Sequence, residues 1–338
     1  MEDSVTDVLF YSAGFHAVPQ DDTGTNEASI KDSKFNDKSQ PFVDALLDSY
    51  SDEELLHHIC QSPCLVTSMQ QPAIRILSSS VLAKKVGGTY YDDPLDEVYA
   101  MQRARALGVN VPAFRRLVPI DDFGSYYLVM ERVIGDTLEQ LWRSMSLWGT
   151  LRAAWRLRGY LRLLRTVTAQ TTGGLHSGRT RSIWLDDQRG PVRHASPAAF
   201  VGYLNWWLVN CRPEYCTSYP ELVLKPAKDH ILVHQDLAPR NMILDSHGTL
   251  YLVDWGISGF YPEYMEYFGI DATSSLCSMQ WLRERTWAAW WGRLRWSLFR
   301  WVAAGSGSRF RDAWKAFGVI SIRTQRFRLD KTPFSDEL

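Results

Sequence analysis

One stretch of the chain, residues 233–256, constrains the fold more than any other. It reads VHQDLAPRNMILDSHGTLYLVDWG, with Asp236 two residues after His234, Asn241 five residues after Asp236, and Asp254 thirteen residues after Asn241. Phosphoryl transfer from a magnesium nucleotide requires a carboxylate that orients an incoming hydroxyl group, and oxygen ligands that hold Mg²⁺ against the phosphates. These residue types in this order predict a catalytic and metal-binding loop.

The residues around this loop predict how it is held. Residues 250–253 read LYLV and directly precede Asp254, so the second carboxylate follows a predicted strand that fixes its backbone. Residues 246–248, Ser-His-Gly, predict the turn of a hairpin. Taken singly, Asp254 is also explained as a strand-end turn and Asn241 as a cap, but the ordered set favours a functional site.

Length, charge and cysteine content limit the classes of protein to consider. The 338 residues suffice for two lobes, and the net charge of −1 predicts no nucleic-acid partner. No run of about eighteen uncharged apolar residues occurs, so no transmembrane segment is predicted. Five cysteines and an acidic start of the chain favour a cytoplasmic protein with reduced thiols over a secreted protein or a structural zinc site.

Changes in pattern divide the chain into four segments. Residues 1–40 are polar and predict a disordered tail, and residues 330–338 predict a polar tail at the other end. Residues 41–134 predict a small lobe of strands and helices, and residues 135–329 predict a mostly helical lobe. The predicted fold class is therefore α+β.

The small lobe is predicted in more detail from local signals. Ser51 and Glu54 form a capping-box pattern at the start of a short helix. The further predicted elements are two strands joined by a turn in residues 73–86, a helix at 96–107, and strands at 111–118 and 126–130.

A lysine and a glutamate in this lobe have the spacing of a phosphate clamp. Lys84 lies at the end of the predicted strand VLAK, and Glu97 lies thirteen residues later at the start of the predicted helix. A strand lysine held by a helix glutamate is an arrangement that binds nucleotide phosphates. Two alternatives stay open: Lys85, whose side chain points to the opposite face of the strand, and Glu97 as an acid that complements the helix dipole.

Residues 127–133 predict a strand that runs into the connection between the lobes. Backbone groups of Glu131 and Val133 are candidates for pairing with a nucleotide base, and Met130 is a candidate for lining its pocket. The alternative is a simple connection between a strand and a helix.

Two helical segments of the second half carry unusual side chains. Residues 151–167 contain arginines at 152, 156, 158, 162 and 165, which either face an anionic partner or form the solvated side of a core helix. Residues 281–304 combine tryptophan and arginine in the manner of a helix at a membrane surface. Because tryptophan is abundant throughout the chain, a core helix is favoured for this segment.

Residues 233–241 and 253–256 resemble the aminoglycoside phosphotransferase and choline kinase group of the protein-kinase-like superfamily. The likeness is strongest to fungal proteins with an aminoglycoside phosphotransferase domain. Further matches are Leu82 to Lys84, Glu97 to Met101, and Met130 to Leu138. Trp255 stands where protein kinases have phenylalanine and no Ala-Pro-Glu follows, so protein kinase activity is disfavoured. A further departure is that no glycine-rich loop precedes Lys84.

The resemblance implies a two-lobed fold with a hinge near Val133. It also implies roles for individual residues: Asp236 as the catalytic base, Asn241 and Asp254 as magnesium ligands, Lys84 as the phosphate ligand paired with Glu97, and His234 as a brace for the loop.

Together these observations predict an ATP- and Mg²⁺-dependent phosphotransferase that acts on a hydroxyl group of a small molecule. The alternative is a catalytically idle kinase-like protein that binds nucleotide or serves as a scaffold. Three acids follow the Asp-Trp-Gly triplet of residues 254–256, namely Glu263, Glu266 and Asp271. They either meet a cationic acceptor or lie at the surface as solvated acids. The sequence predicts neither the identity of the acceptor nor the oligomeric state.

Overall fold

The computed structural model describes residues 41–65, 74–88, 93–121, 124–185, 190–211, 217–272 and 279–326. Both predicted tails, residues 1–40 and 330–338, lie outside these ranges, as does the segment 66–73 that precedes the second strand. The division into lobes between residues 134 and 135 stays a prediction.

An antiparallel sheet of five strands forms the first lobe, in the order β1-β2-β3-β5-β4. Its strands are β1 (Cys64–Leu65), β2 (Ile74–Ile76), β3 (Val81–Gly87), β4 (Phe114–Pro119) and β5 (Ser125–Glu131). The central strand β3 buries Val81 and Ala83 on one face. Because side chains alternate along a strand, Lys84 points to the other face, and Lys85 shares the face of Ala83 but is exposed.

Two capped helices accompany this sheet. Helix α1 (Asp52–Gln61) begins with the predicted capping box, in which Ser51 and Glu54 exchange side-chain-to-backbone hydrogen bonds of 3.2 and 2.8 Å. Helix α2 (Pro94–Ala106) begins two residues before the predicted 96–107, because Asp93 caps it by accepting from Leu95 N at 2.9 Å and Pro94 occupies its first turn.

The second lobe is mainly helical, as predicted. Its helices are α3 (Leu138–Leu141), α4 (Leu147–Leu164), α5 (Pro197–Val209), α6 (Glu263–Ala272), α7 (Trp287–Ala304) and α8 (Arg311–Arg326). Helices α4 and α7 pack side by side on one core, in which the Trp142 ring lies 5.1 Å from Trp296 and 5.8 Å from Phe299. The prediction that residues 281–304 supply a core helix is therefore confirmed for one side of α7.

Two small antiparallel sheets frame residues 233–256, the predicted catalytic and metal-binding loop, which we call the catalytic stretch. Their strands are β6 (Asp136–Thr137), β7 (Thr168–Ala169), β8 (His230–Val233), β9 (Met242–Leu244), β10 (Leu250–Leu252) and β11 (Gly259–Tyr261). Strands β9 and β10 form the predicted hairpin. Strand β10 ends at Leu252, one residue before the predicted end at Val253, but the Val253 N–H extends the pairing by donating to Asn241 O at 3.0 Å.

Within the described ranges, every helix is too short or too polar to cross a bilayer.

Candidate active site

Lys84 is the centre of an ion-pair network that joins the two lobes. Its Nζ lies 2.7 Å from Glu97 Oε1 and 2.7 Å from Asp254 Oδ1. Burial alone would lower the pKa of Lys84, but the two carboxylates outweigh burial and hold the pKa above its ordinary value. The structure therefore brings Lys84, and not the exposed Lys85, into contact with Glu97 and with the end of the catalytic stretch.

The catalytic stretch contains two residues in a strained conformation. Gln235 and Asp254 have φ angles of 68° and 67°, in the left-handed region that costs a residue with a side chain roughly 1–3 kcal/mol. Two contacts of the Gln235 side chain offset this cost, since its Nε2 donates to Arg181 O at 3.0 Å and to Ile257 O at 2.7 Å. Gly269 packs so closely that a Cβ there would collide with the Gln235 carbonyl.

Glu266 on α6 binds the backbone of the same turn at residues 234 and 235. Its two carboxylate oxygens accept from the backbone N–H groups of His234 at 2.7 Å and Gln235 at 3.2 Å. Burial raises the pKa of Glu266 to about 7, although both hydrogen bonds oppose the shift. The two interpretations of Glu266 as a surface acid or as a contact for a cationic acceptor were wrong, because the residue is 2% exposed and faces the loop backbone.

The two carboxylate oxygens of Asp236 differ in their contacts with the described residues. Its Oδ2 accepts from Arg240 Nη2 at 2.7 Å and from Asn241 Nδ2 at 2.9 Å. Its Oδ1 is buried and meets no hydrogen-bond donor among the described residues. Burial raises the pKa of Asp236, while Arg240 opposes the shift. A buried carboxylate oxygen without a partner is rare in proteins and is suited to accept a hydrogen bond from a bound hydroxyl group.

His234 connects the two acidic residues of the stretch. Its Nδ1 accepts from the Asp236 backbone N–H at 3.3 Å, and its Nε2 lies 3.1 Å from Val253 O. Burial lowers the pKa of His234 to about 4, so the ring is neutral and these partners assign its proton to Nε2. The ring also packs against Trp255 with centroids 4.6 Å apart. His234 therefore has the contacts expected of a brace.

Asn241 and Asp254 supply oxygen atoms of the kind that Mg²⁺ prefers. Asn241 Nδ2 donates to both Asp236 O and Asp236 Oδ2 at 2.9 Å, which leaves the amide oxygen available on the other side of the group. Asp254 is adjacent to Val253, whose N–H is bonded to the Asn241 carbonyl. No cluster of three or more His, Cys, Asp or Glu residues suited to a metal is found in the described ranges. A donor set this small fits Mg²⁺, which proteins often bind through one or two ligands together with substrate phosphates.

The three candidates for the nucleotide base differ in their surroundings. Met130 is 7% exposed and packs into the main core. Glu131 N–H donates to Ala113 O at 2.9 Å and is not available to a base. Val133 lies beyond the end of β5, half-buried, and no described residue hydrogen-bonds to its backbone.

Asp96, next to Glu97, was not predicted to matter. It is 2% exposed, and its Oδ1 accepts from the backbone N–H groups of His176 at 2.7 Å and Ser177 at 2.9 Å. The Ser177 hydroxyl donates to its other oxygen. Gly174 lies against the same carboxylate, and a Cβ there would collide with it. The first turn of α2 is thus attached to a turn of the second lobe.

Arg181 was also not predicted. Its Nη1 donates to Gly256 O at 2.8 Å, directly after the Asp-Trp-Gly triplet. Sequence spacing gives little warning of this contact, because the two residues are 75 positions apart. The glycine pair before His176 is the only local signal near the Asp96 contact.

The comparison with protein families is decisive once this geometry is known. A model described as the phosphotransferase enzyme family (APH) matches residues 79–270, more than half of the chain. The chain belongs to this phosphotransferase family. The matched range contains Lys84, Glu97 and the whole catalytic stretch, so the predicted membership of this phosphotransferase family is confirmed. The strands and helices described above agree with the predicted α+β fold.

Solved structures that resemble this phosphotransferase-family protein share little sequence with it. An aminoglycoside-3'-phosphotransferase of type VIII has 16% identity and a TM-score of 0.44, covering 79% of this chain and 99% of that one. A thermostable mutant of aminoglycoside phosphotransferase APH(4)-Ia, in complex with ADP and hygromycin B, has 15% identity and a TM-score of 0.42, covering 81% and 97%.

The kinase PK-1 of Cydia pomonella granulovirus has 12% identity and a TM-score of 0.33. That match covers 61% of this chain and 55% of the viral kinase, so the chain spans only about half of its length. No curated protein gives a significant sequence match.

Proposed function

We propose that the protein is an ATP- and Mg²⁺-dependent phosphotransferase that phosphorylates a hydroxyl group of a small molecule, with Asp236 as the base. The observation that carries the proposal is the buried Asp236 Oδ1, which has no donor among the described residues while Oδ2 is fixed by Arg240 and Asn241. An acceptor hydroxyl group at this oxygen would be oriented for attack.

In the proposed reaction the acceptor oxygen forms a bond to the γ-phosphorus of ATP. The bond from that phosphorus to the β–γ bridging oxygen breaks, ADP leaves, and the proton of the hydroxyl group passes to Asp236 Oδ1. Burial raises the pKa of Asp236, which favours uptake of this proton, and Arg240 opposes the rise.

Lys84 would bind the phosphates of the nucleotide while Glu97 holds its ammonium group in place. The contact from Lys84 to Asp254 occupies the same ammonium group, so nucleotide phosphates would compete with it. Mg²⁺ held by Asn241 and Asp254 would neutralise charge on the transferred phosphoryl group. Val133 offers a backbone group for the base, and Met130 lies in the strand that leads to it.

The acceptor is proposed to be a small hydroxylated molecule. The solved structure of the APH(4)-Ia mutant is a ternary complex with ADP and hygromycin B. In the present chain the acid Glu266 supports the loop backbone and is not available to a cationic acceptor.

A screen of amino sugars, sugars and amino alcohols with Mg·ATP would test the proposal, with ADP release and phosphorus NMR as readouts. We expect one acceptor class to be phosphorylated, and Asp236→Asn to lower kcat by roughly a thousandfold or more while Mg·ATP binding measured by calorimetry stays within a few fold. Absence of Mg·ATP binding to the wild-type protein would refute the proposal.

The idle-scaffold alternative gives a different result in the same experiment. It expects ATP binding without any phosphorylated acceptor, and the same background ATP hydrolysis in the wild type and in Asp254→Ala.

A further inference from the structure

One side of α7 exposes a row of large apolar side chains. The exposed fractions are 75% for Trp287, 46% for Trp290, 36% for Trp291, 47% for Leu294 and 62% for Trp301. The spacing of three, four and seven residues places them on one side of the helix, opposite the buried Trp296 and Phe299. We call these five exposed residues the tryptophan face.

The neighbouring helix α4 extends the same surface. Trp148 is 74% exposed and Trp155 is 63% exposed, on the side of α4 opposite its buried Ala154 and Leu157. Both helices bury their inner sides in the same core, and Arg158 Nη1 of α4 donates to Val302 O of α7 at 2.9 Å. Their outer sides therefore lie on the same part of the molecular surface. An apolar patch of this extent in a soluble protein marks a site of contact with another molecule or a membrane.

The two segments that contain these helices carry far more positive than negative charge. Residues 142–165 contain six arginines and no acid, and residues 281–304 contain five arginines and one glutamate, whereas the whole chain has a net charge of −1. Arg152 lies between Trp148 and Trp155 on the exposed side of α4, and Arg285 is exposed just before α7. The occupant of this surface must therefore be anionic.

A second copy of the chain does not meet that requirement. Two such surfaces placed face to face would bring the exposed arginines of one copy, among them Arg152, Arg162 and Arg285, against the same arginines of the other, which is unfavourable. A lipid surface does meet it, because tryptophan rings are stable at the level of the headgroups and arginines are attracted to anionic lipids.

We propose that the tryptophan face, together with Trp148, Trp155 and the arginines between them, docks the protein on the surface of an anionic lipid bilayer. The rings would enter the headgroup region while the arginines contact lipid phosphates and carboxylates. The proposed contact lies at the level of the headgroups, as for helices that bind in the plane of the interface. The proposal does not depend on catalytic activity.

Co-sedimentation of the full chain with lipid vesicles would test the proposal. The vesicles are phosphatidylcholine alone, or phosphatidylcholine with about a third phosphatidylserine, a composition that gives a negative surface potential. We expect binding to the anionic vesicles, weak binding to the neutral ones, and a steep loss of binding as salt is raised.

Two variants separate the apolar and the electrostatic contributions. A triple variant of Trp287→Ser, Trp290→Ser and Trp301→Ser should weaken binding by at least roughly tenfold, since the rings lose their contact with the headgroup region. A triple variant of Arg152→Gln, Arg162→Gln and Arg285→Gln should weaken binding to anionic vesicles by roughly a hundredfold, at about fivefold per charge. All six residues are exposed, so circular dichroism and thermal unfolding should match the wild type.

A matched control replaces apolar residues of similar exposure elsewhere. Ile183 and Val223 are 44% and 46% exposed, and a double variant with serine at both positions should bind vesicles like the wild type. Equal binding to neutral and anionic vesicles, or no binding to either, would overturn the proposal. A wild-type dimer that the tryptophan variant converts to a monomer, without vesicle binding, would overturn it in favour of a protein interface.

Discussion

Two regions of the protein depart from the usual separation of buried apolar and exposed polar side chains, and they do so in opposite directions. Around Asp236 and Lys84, charged and amide groups are buried and paired with one another. On the outer sides of α4 and α7, tryptophans are exposed to water. Buried polar groups lose much energy when one partner is removed, whereas exposed rings lose little, so the regions should respond very differently to substitution.

The largest effect on activity should follow a change at Asp254, the half-exposed member of the Lys84 network. Asp254→Asn keeps the size of the side chain, and asparagine tolerates the left-handed backbone at this position. The substitution removes the negative charge that faces Lys84 and that would bind the proposed metal ion. We expect kcat for phosphotransfer to fall by roughly a thousandfold, with a free energy of unfolding within about 1 kcal/mol of the wild type. Activity within tenfold of the wild type, measured with an identified acceptor, would show that Asp254 is not required for phosphotransfer.

The next largest effect should come from the attachment of α2. In Asp96→Asn, an NH2 group takes the place of one of the two carboxylate oxygens. The remaining oxygen cannot accept from all three donors, which are the N–H groups of His176 and Ser177 and the Ser177 hydroxyl. We expect the free energy of unfolding, measured in urea, to fall by about 3 kcal/mol, because donors are left buried without an acceptor.

Asp93→Asn is the control for that change. Asp93 caps the same helix and contacts the exposed His176 at 2.8 Å. Since asparagine is also a good cap and the contact with His176 is exposed, the cost should stay below about 1 kcal/mol. Equal losses in the free energy of unfolding for the two variants would show that the contacts of Asp96 stabilise the fold no more than those of Asp93.

A smaller effect should appear as a dependence of stability on pH. Burial lowers the pKa of His230 to about 4 in the folded protein, from 6.5 in the unfolded chain. Between these values the unfolded chain binds more protons, so stability is lost as the pH falls from 6.5 towards 4. Relative to pH 7, His230 should account for roughly 2 kcal/mol of lost stability at about pH 4.5.

Urea unfolding at a series of pH values would measure this loss. His230→Gln should flatten the acid side of the profile, and His247→Gln, which changes an exposed histidine, should leave its shape unchanged. A profile of His230→Gln that is parallel to the wild type would refute the assignment.

The smallest effect should be found on the tryptophan face. Trp301→Ser removes a ring that is 62% exposed, so the free energy of unfolding should change by less than about 1 kcal/mol. Trp296→Ser in the same helix removes a ring that is 3% exposed and should cost about 4 kcal/mol. Similar losses for the two variants would mean that the outer ring is covered in the folded protein.

Local patterns in the sequence were enough to predict the elements that carry the site. The capping box at Ser51, the alternation that separates Lys84 from Lys85, and the hairpin after Asn241 all depend on residues close together in the chain. The start of α2 was placed two residues late because Asp93 and Pro94 were not used as start signals, although both are local.

The supports of the site could not be predicted in the same way. Asp96 meets a turn 80 residues away, Glu266 meets loop backbone 31 and 32 residues away, and Arg181 meets Gly256 75 residues away. No periodicity marks such contacts. Likewise, the composition of residues 281–304 fits both a core helix and a surface helix, and only the packing shows that α7 is apolar on both sides.

The contact between Asp96 and Gly174 also has a consequence for how this family can diverge. The carboxylate occupies the space that any larger residue at position 174 would need, and the turn around Gly174 supplies the donors that the carboxylate needs. Neither residue can change alone without a clash or a stranded polar group. Among relatives, the pair should therefore be kept together or replaced together. Co-variation of positions 96 and 174 in an alignment of the family would then mark this contact between the lobes.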